Sequence, residues 1–252
     1  MKKPLIYQDN FYENIESNLF FKRNYKKRFS KSFKHESIRN YKIEIYNLIK
    51  KNFKISNKSR VLEIGCLVGD LLKYFKIKNN CKIYGIEPSS DACDISKKLF
   101  KIKLENCTFF QSKLFNLSNK NLKRFDIIIL DDVLSWIDRD ILLPTVAIID
   151  WLLADNGIIF IRDFSPNKKF AHPNHHHIKK KIFNFKNKGG HKEFFYNSGK
   201  YIEVYNRNYY SSKMQKIFIR NKESMKWSDT ILKKTKNFTH PIIHVKNKNS
   251  KC

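Results

Sequence analysis

Between residues 60 and 164 the chain alternates short, almost wholly apolar runs with amphipathic ones, and few folds accept that alternation. RVLEIG (60–65), KIYGIE (82–87), FDIIIL (125–130) and GIIFIRDF (157–164) have strand length but lack the in–out pattern of a half-solvated sheet. Strands that are apolar on both sides need cover on both sides. The pattern therefore predicts a parallel sheet, with GDLLKYFK, DACDISKKLF and residues 140–153 as helices over its faces. Ser89 or Ser90 stands where the cap of the second helix belongs. CTFF (107–110) reads as one more short strand. Upstream, Ile38, Tyr41, Ile45, Leu48 and Ile49 recur at helical spacing, an amphipathic helix within 36–53 that leads into the core.

After Phe164 the pattern changes. YIEVYNRNYY (201–210) and KMQKIFIR (213–220) are strand-like, either a direct hairpin or the antiparallel completion of a parallel sheet. Residues 165–200 between them and the core are polar and histidine-rich, the kind of long connection that covers a substrate. The expected fold class is α/β, a doubly wound, mostly parallel sheet of Rossmann-like type with an antiparallel strand pair at its C-terminal end. A single domain at 36–220 is expected, between a basic N-terminal extension (1–35) and a basic C-terminal tail (221–252).

The five cysteines form no CxxC pair, which points to reduced thiols in a cytoplasmic protein and to no metal site. No stretch resembles a signal peptide, and ILLPTVAIIDWLLA (141–154) is broken by Pro144 and Asp150, so no membrane insertion is expected. The net charge of +28 lies entirely in the flanks, because residues 61–163 carry equal numbers of acidic and basic side chains. Such flanks attract polyanions or phosphorylated ligands. Drift toward Lys, Asn, Ile and Phe in exposed segments gives the same excess and is the simpler account.

In open parallel sheets ligands bind beyond the carboxyl ends of the strands. There the first strand ends in Glu63-Ile64-Gly65-Cys66-Leu67-Val68-Gly69-Asp70 and the second in Glu87. Gly65 allows a tight turn and close backbone approach, and the following helix start offers N–H groups to a carboxylate. Glu87 can accept both hydroxyls of a ribose. Together they indicate an adenine nucleoside cofactor. A dinucleotide needs G-x-G-x-x-G, yet Leu67 puts bulk and Asp70 puts negative charge where the pyrophosphate would lie. S-adenosyl-L-methionine has no phosphate and is cationic at sulfur and nitrogen, so acids at Glu63 and Asp70 suit it better.

VLEIGCLVG, IYGIEPS, FDIIILDDVLSWIDR and LLADNGIIFIRDF resemble, in order and spacing, the successive motifs of class I S-adenosylmethionine-dependent methyltransferases. The likeness covers about residues 36–164. The usual E-x-G-x-G-x-G falls on Glu63, Gly65, Leu67 and Gly69, with its middle glycine missing. The resemblance implies a cofactor site of Glu63, Gly65, Cys66, Gly69, the ribose acid Glu87, Ser112 at the adenine position, and Asp131 near the transferred methyl. Beyond the core, DFSP, the histidines and FNFK (183–186) are similar to a narrower subgroup with a DF-x-P, histidine and aromatic-lysine extension. Some of its members act among surface-polysaccharide enzymes, which points to a carbohydrate-like acceptor.

Transfer to a hydroxyl needs a base beside the aligned nucleophile. His176 and His177 are the candidates within HPNHHH, with Asp131 and Asp163 at strand ends as the other catalytic candidates. The expected partner is a small-molecule acceptor, a sugar or a phosphorylated compound, methylated on a hydroxyl or an amine. Nucleic acid is not favoured. DDVL after the fourth strand lacks the prolines that hold a flipped base, and the chain has no Pro-Cys. RNA or protein methylation through the basic flanks, and a degenerate non-catalytic binding domain, are the alternatives.

Overall fold

A computed structural model describes residues 7–25, 38–115, 124–210 and 226–239. The central sheet contains β1 (Arg60–Ile64), β2 (Lys82–Ile86), β3 (Phe125–Asp131), β4 (Leu153–Phe164), β7 (Tyr201–Tyr210) and β8 (Lys226–Lys234), in the order β2-β1-β3-β4-β8-β7. The first four strands are parallel, β8 runs antiparallel to β4, and β7 runs antiparallel to β8. A separate ribbon of β5 (Phe170–Pro173) and β6 (Phe183–Lys186) follows the sheet's fourth strand.

The apolar strands divide their residues between two cores. Val61, Ile127, Ile129 and Phe160 face α3 (Asn40–Asn52) and α4 (Asp70–Asn79), packing on Ile45, Ile49, Leu71, Leu72 and Phe75. Leu62, Ile64, Ile128, Leu130 and Ile159 face α6 (Arg139–Leu152), packing on Leu142, Ile149 and Leu152. Each such fully buried side chain contributes about 1.5–3 kcal/mol relative to exposure, which fixes the strand register. Pro144 sits on the solvent side of α6 and leaves that packing undisturbed. Helix α5 (Ser90–Ile95) starts on Ser89, whose hydroxyl accepts the Ala92 N–H at 3.1 Å.

Two expectations change. Residues 107–110 are not a strand: among the described residues the sheet's outer edge receives a single bridge, Ile86 to Glu105. Side chains close that edge instead, with Asn106 donating to the carbonyls of Glu87 and Pro88. The second change is in the segment read as a tail, where residues 226–234 form the strand between β4 and β7. Its alternation is masked by polar residues that are themselves buried. Asp229 is aligned with Arg162 on one side and Arg207 on the other, and it accepts from both and from the Tyr209 hydroxyl. The sheet is therefore finished antiparallel, as one of the two options had it, while KMQKIFIR (213–220) lies outside the described residues.

The N-terminal segment is helical: α1 (Tyr7–Phe11), a π turn (Tyr12–Glu16) and α2 (Ser17–Asn24). It lies across the carboxyl ends of the strands. Asn18 bonds Ser89 and Ser90, Asp9 bonds Thr108, and Gln8 accepts the Phe183 N–H at 2.8 Å. With the β5–β6 ribbon it roofs the floor on which the site is built.

Candidate active site

Gly65, Leu67 and Gly69 all adopt left-handed backbone, with φ of 69°, 54° and 69°. The loop thus turns left-handed at every second residue, which is why glycine suits all three positions. Leu67 takes that conformation at a cost of about 1–2 kcal/mol and offsets it by burying its side chain in the core, so the loop keeps its course. At Gly65 a Cβ would come within 2.8 Å of Val133, so packing as well as backbone demands glycine.

Glu87 braces this loop. Its two oxygens accept the N–H groups of Leu67 at 2.7 Å and Ser89 at 2.9 Å. One bond per oxygen leaves lone pairs for further donors, and burial pushes its pKa up to about 7. Cys66 is wholly buried and its thiol is pushed well up by burial, so it lines the loop as a packing group rather than a nucleophile.

Two cations at the start of α3, Arg39 just before its first residue and Lys42 in its first turn, organise the acids, and sequence reasoning passed over both. Lys42 Nζ bridges Glu63 Oε1 at 2.7 Å and Asp131 Oδ2 at 2.8 Å. Arg39 forks onto Asp70 at 2.7 and 2.6 Å, and its Nη1 reaches the Tyr41 hydroxyl. A signal for Lys42 existed: Ile38, Lys42, Ile45 and Ile49 share one helical stripe, so a lysine stood in a row of buried isoleucines. Although burial works the other way, Lys42 and Arg162 hold Asp131 below the ordinary aspartate range, and Arg39 does the same for Asp70. Glu63 is pushed up to about 7 by burial in spite of Lys42, and its Oε2 is buried without a hydrogen-bond partner. An orphaned carboxylate oxygen of this kind fits a cationic ligand group, as an ammonium would supply.

Ser112, expected at the adenine position, is buried, and its hydroxyl closes a local turn by donating to the Phe109 carbonyl at 2.7 Å. An acid does stand at this end of the cleft. Asp9 of α1 accepts the Thr108 hydroxyl at 2.8 Å, and burial raises its pKa to about 6.

At the ends of β3 and β4 lies a buried group of ionisable residues. Asp163 Oδ2 is 2.8 Å from His191 Nδ1, with both side chains inaccessible to solvent. Asp132, in left-handed backbone, accepts from the Ser135 hydroxyl and the Trp136 indole, and burial together with Asp163 and Asp131 raises its pKa strongly. Lys186, the last residue of FNFK, is 1% exposed with its ammonium over the Phe164 ring. From the roof, Tyr12 reaches this group, in hydrogen-bond contact with Asn174 and close enough to feel Asp132. His177 Nε2 is 2.5 Å from Glu16 Oε2, and its ring meets Phe11 edge-on. His176 is exposed and stacks on His175, away from the cleft. Thus Asp131 is tied to the loop acid Glu63 through Lys42, Asp163 lies at the end of β4 beside His191, and His177 sits under the roof against Glu16 and Phe11, while His176 is exposed.

Residues 35–227 match the family model described as a methyltransferase domain. Over 105 residues the chain is 28% identical to an uncharacterised protein of Rickettsia prowazekii, a match covering 41% of this chain and 42% of that protein. The chain thus spans about two fifths of the length of the curated relative it matches. Among solved structures, 1,6-didemethyltoxoflavin N1-methyltransferase of Burkholderia thailandensis, with its acceptor and S-adenosylhomocysteine bound, superimposes at a TM-score of 0.58 with 12% identity, covering 93% of each chain. Phosphoethanolamine N-methyltransferase 2 of Haemonchus contortus, in complex with S-adenosylmethionine, gives 0.60 with 12% identity, covering 91% of this chain and 60% of that one. At these identities the likeness is one of fold.

Proposed function

Because this chain belongs to the methyltransferase-domain family, we propose that it transfers the methyl of S-adenosylmethionine to a hydroxyl or amine of a small acceptor enclosed beneath the roof. The residues present fit the cofactor. Glu63 Oε2 awaits a cation, Glu87 has lone pairs for ribose hydroxyls, and the Gly65–Gly69 loop allows close backbone approach. In this reading Asp9 stands in for the adenine acid that Ser112 cannot be. Bound there, S-adenosylmethionine supplies a methyl group on a sulfonium, an electrophile that needs no metal or redox partner.

The observation that carries the acceptor reading is the roof. Gln8, Tyr12 and Glu16 meet Phe183, Asn174 and His177 directly over the ends of β3 and β4. A covered site of this kind suits a small molecule, carbohydrate-like or phosphorylated, better than a folded RNA or protein chain. His177 is the proposed base. With Nε2 committed to Glu16, its Nδ1 is the nitrogen that takes the acceptor's proton, and the Glu16 carboxylate stabilises the imidazolium. Asp131, held ionised by Lys42, contributes a fixed negative charge near the sulfonium and methyl rather than a base.

The test is methyl transfer from labelled S-adenosylmethionine into separated pools of sugars, sugar phosphates, nucleotides and RNA. Label is expected in a small-molecule pool, lost with His177→Ala and retained with His176→Ala. Label confined to RNA or protein, or full activity in His177→Ala, would refute the reading.

A further inference from the structure

The lysine of FNFK has no part in the mechanism above, yet it is one of the largest wholly buried side chains of the protein. It ends β6 inside the group formed by the strand ends. Asp132 faces it from the turn after β3, Asp163 from the end of β4 and His172 from β5, with Phe164 and Phe170 around its ammonium. Asp163 lies beside His191, Oδ2 2.8 Å from Nδ1, and within the field of Arg139. The backbone spends effort on this arrangement. Asn184, two residues before Lys186 on the same ribbon face, donates to the Ser135 hydroxyl at 3.0 Å, and Ser135 donates to Asp132. The ribbon is thereby pinned to the turn that presents Asp132. Asn184 Oδ1 is itself buried without a hydrogen-bond partner.

We infer that Lys186 is the acceptor-binding residue of this site, its ammonium donating to the nucleophilic oxygen of a hydroxyl acceptor. The inference rests on the reading above and narrows it to O-methylation. A lysine ammonium has three donors and no acceptor. It can hold a hydroxyl oxygen while leaving a lone pair for the methyl, but it repels a protonated amine and offers a neutral one nothing its lone pair can spare. In the transfer, the acceptor O–H proton goes to His177 and the oxygen lone pair forms the new C–O bond. The S–C electron pair returns to sulfur, so the products are a methyl ether and S-adenosylhomocysteine. The role of Lys186 is to orient that oxygen and stabilise the negative charge that grows on it as its proton leaves. Asp132 and Asp163 supply the negative field that favours its charged form. Burial pushes its pKa down to about 7 against the upward pull of both aspartates. The donor is therefore lost on the alkaline side.

The experiment uses the full chain, S-adenosylmethionine carrying a 13C methyl, and the small-metabolite fraction of a cell extract. Wild type is expected to give product whose labelled methyl resonates as an O-methyl. Lys186→Met is expected to lower labelling about 10- to 100-fold, the loss of one charge-assisted hydrogen bond at the transition state, while leaving the affinity for S-adenosylhomocysteine unchanged. Lys186→Arg keeps the charge, so it is expected to retain partial activity and to move the alkaline limb of the pH–rate profile upward without moving the acid limb. A structural lysine would not produce that shift. An N-methyl product, an unimpaired Lys186→Met, or an unmoved alkaline limb in Lys186→Arg each overturns the inference while leaving the transferase reading intact. The Arg variant decides if the Met variant fails to fold. No labelling by wild type in any fraction would overturn both.

Discussion

Leu67 offers a sharp test of how the cofactor loop is built, because two opposing effects meet at one residue. Its backbone is left-handed, φ 54°, and its side chain is 7% exposed within the core. In a buried position with ordinary backbone, Leu→Ala costs about 2–5 kcal/mol through lost burial and the cavity, and Gly costs a further 0.5–1 kcal/mol or so for backbone entropy. Here the second step reverses. Alanine loses the packing but keeps the strain, whereas glycine loses the packing and recovers about 1–2 kcal/mol of left-handed strain. Leu67→Gly should therefore be destabilised by about 1–5 kcal/mol and should be more stable than Leu67→Ala by up to about 1 kcal/mol. Urea unfolding of the three proteins, compared at constant slope, measures both differences. An alanine variant at least as stable as the glycine variant would show that residue 67 is not left-handed. A glycine variant more stable than wild type would show that the leucine does not pack as described.

Burial raises the pKa values of Glu63 and Glu87 to about 7 from 4.5, and only their ionised forms favour a cation and ribose hydroxyls. Affinity for S-adenosylmethionine should therefore strengthen as pH rises through 7, with protons released on binding, and a flat calorimetric profile would contradict this. The free protein should lose stability between about pH 4.5 and 7, because its buried carboxyls still bind protons that the unfolded chain has released. Arg39→Met strands Asp70 without its partner and should cost about 3–5 kcal/mol, most of it regained in the Arg39→Met/Asp70→Leu double variant. Denaturation of the pair shows whether the penalty is the stranded charge. Asn18→Ala removes the bonds from α2 to Ser89, Ser90 and the Asp91 N–H. It should speed cofactor dissociation several-fold at about 0.5–1.5 kcal/mol per bond, and an unchanged off-rate in stopped flow would mean that the roof does not cover the nucleoside.

The sheet was legible because its inner strands are apolar on both faces, a pattern that leaves little choice of architecture. FDIIIL and GIIFIRDF announce a parallel centre whatever lies around them. The acids at strand ends were legible for a related reason, since Glu87 and Asp131 each terminate an apolar run and Glu63 and Asp163 stand one residue before the end of their strands. The strand at 226–234 was not, because its centre is the ion-paired Asp229, and a buried charge reads as surface until its partners on neighbouring strands are known. Arg39 and Lys42 were hidden among many surface cations for the same reason. The roof was illegible in principle: nothing in YQDNFYENIESNLF states that Gln8, Asp9, Glu16 and Asn18 bond residues roughly 70 to 175 positions away. His176 and His177 are neighbours of one type, and only their contacts distinguish them, Glu16 and Phe11 for His177 and His175 for His176.

In the proposed function S-adenosylmethionine binds across the ends of β1 and β2, with Glu87 on its ribose. Isothermal titration of the full chain and of Glu87→Ala with S-adenosylmethionine and with a nicotinamide dinucleotide tests that claim most directly. Wild type should bind S-adenosylmethionine and not the dinucleotide, since Glu63 Oε2 is buried without a partner where a cationic group suits it and a pyrophosphate does not. Glu87→Ala should weaken binding by about 1.5–3 kcal/mol, roughly 10- to 150-fold. Tight dinucleotide binding without S-adenosylmethionine binding, or an affinity unchanged by Glu87→Ala, would contradict it.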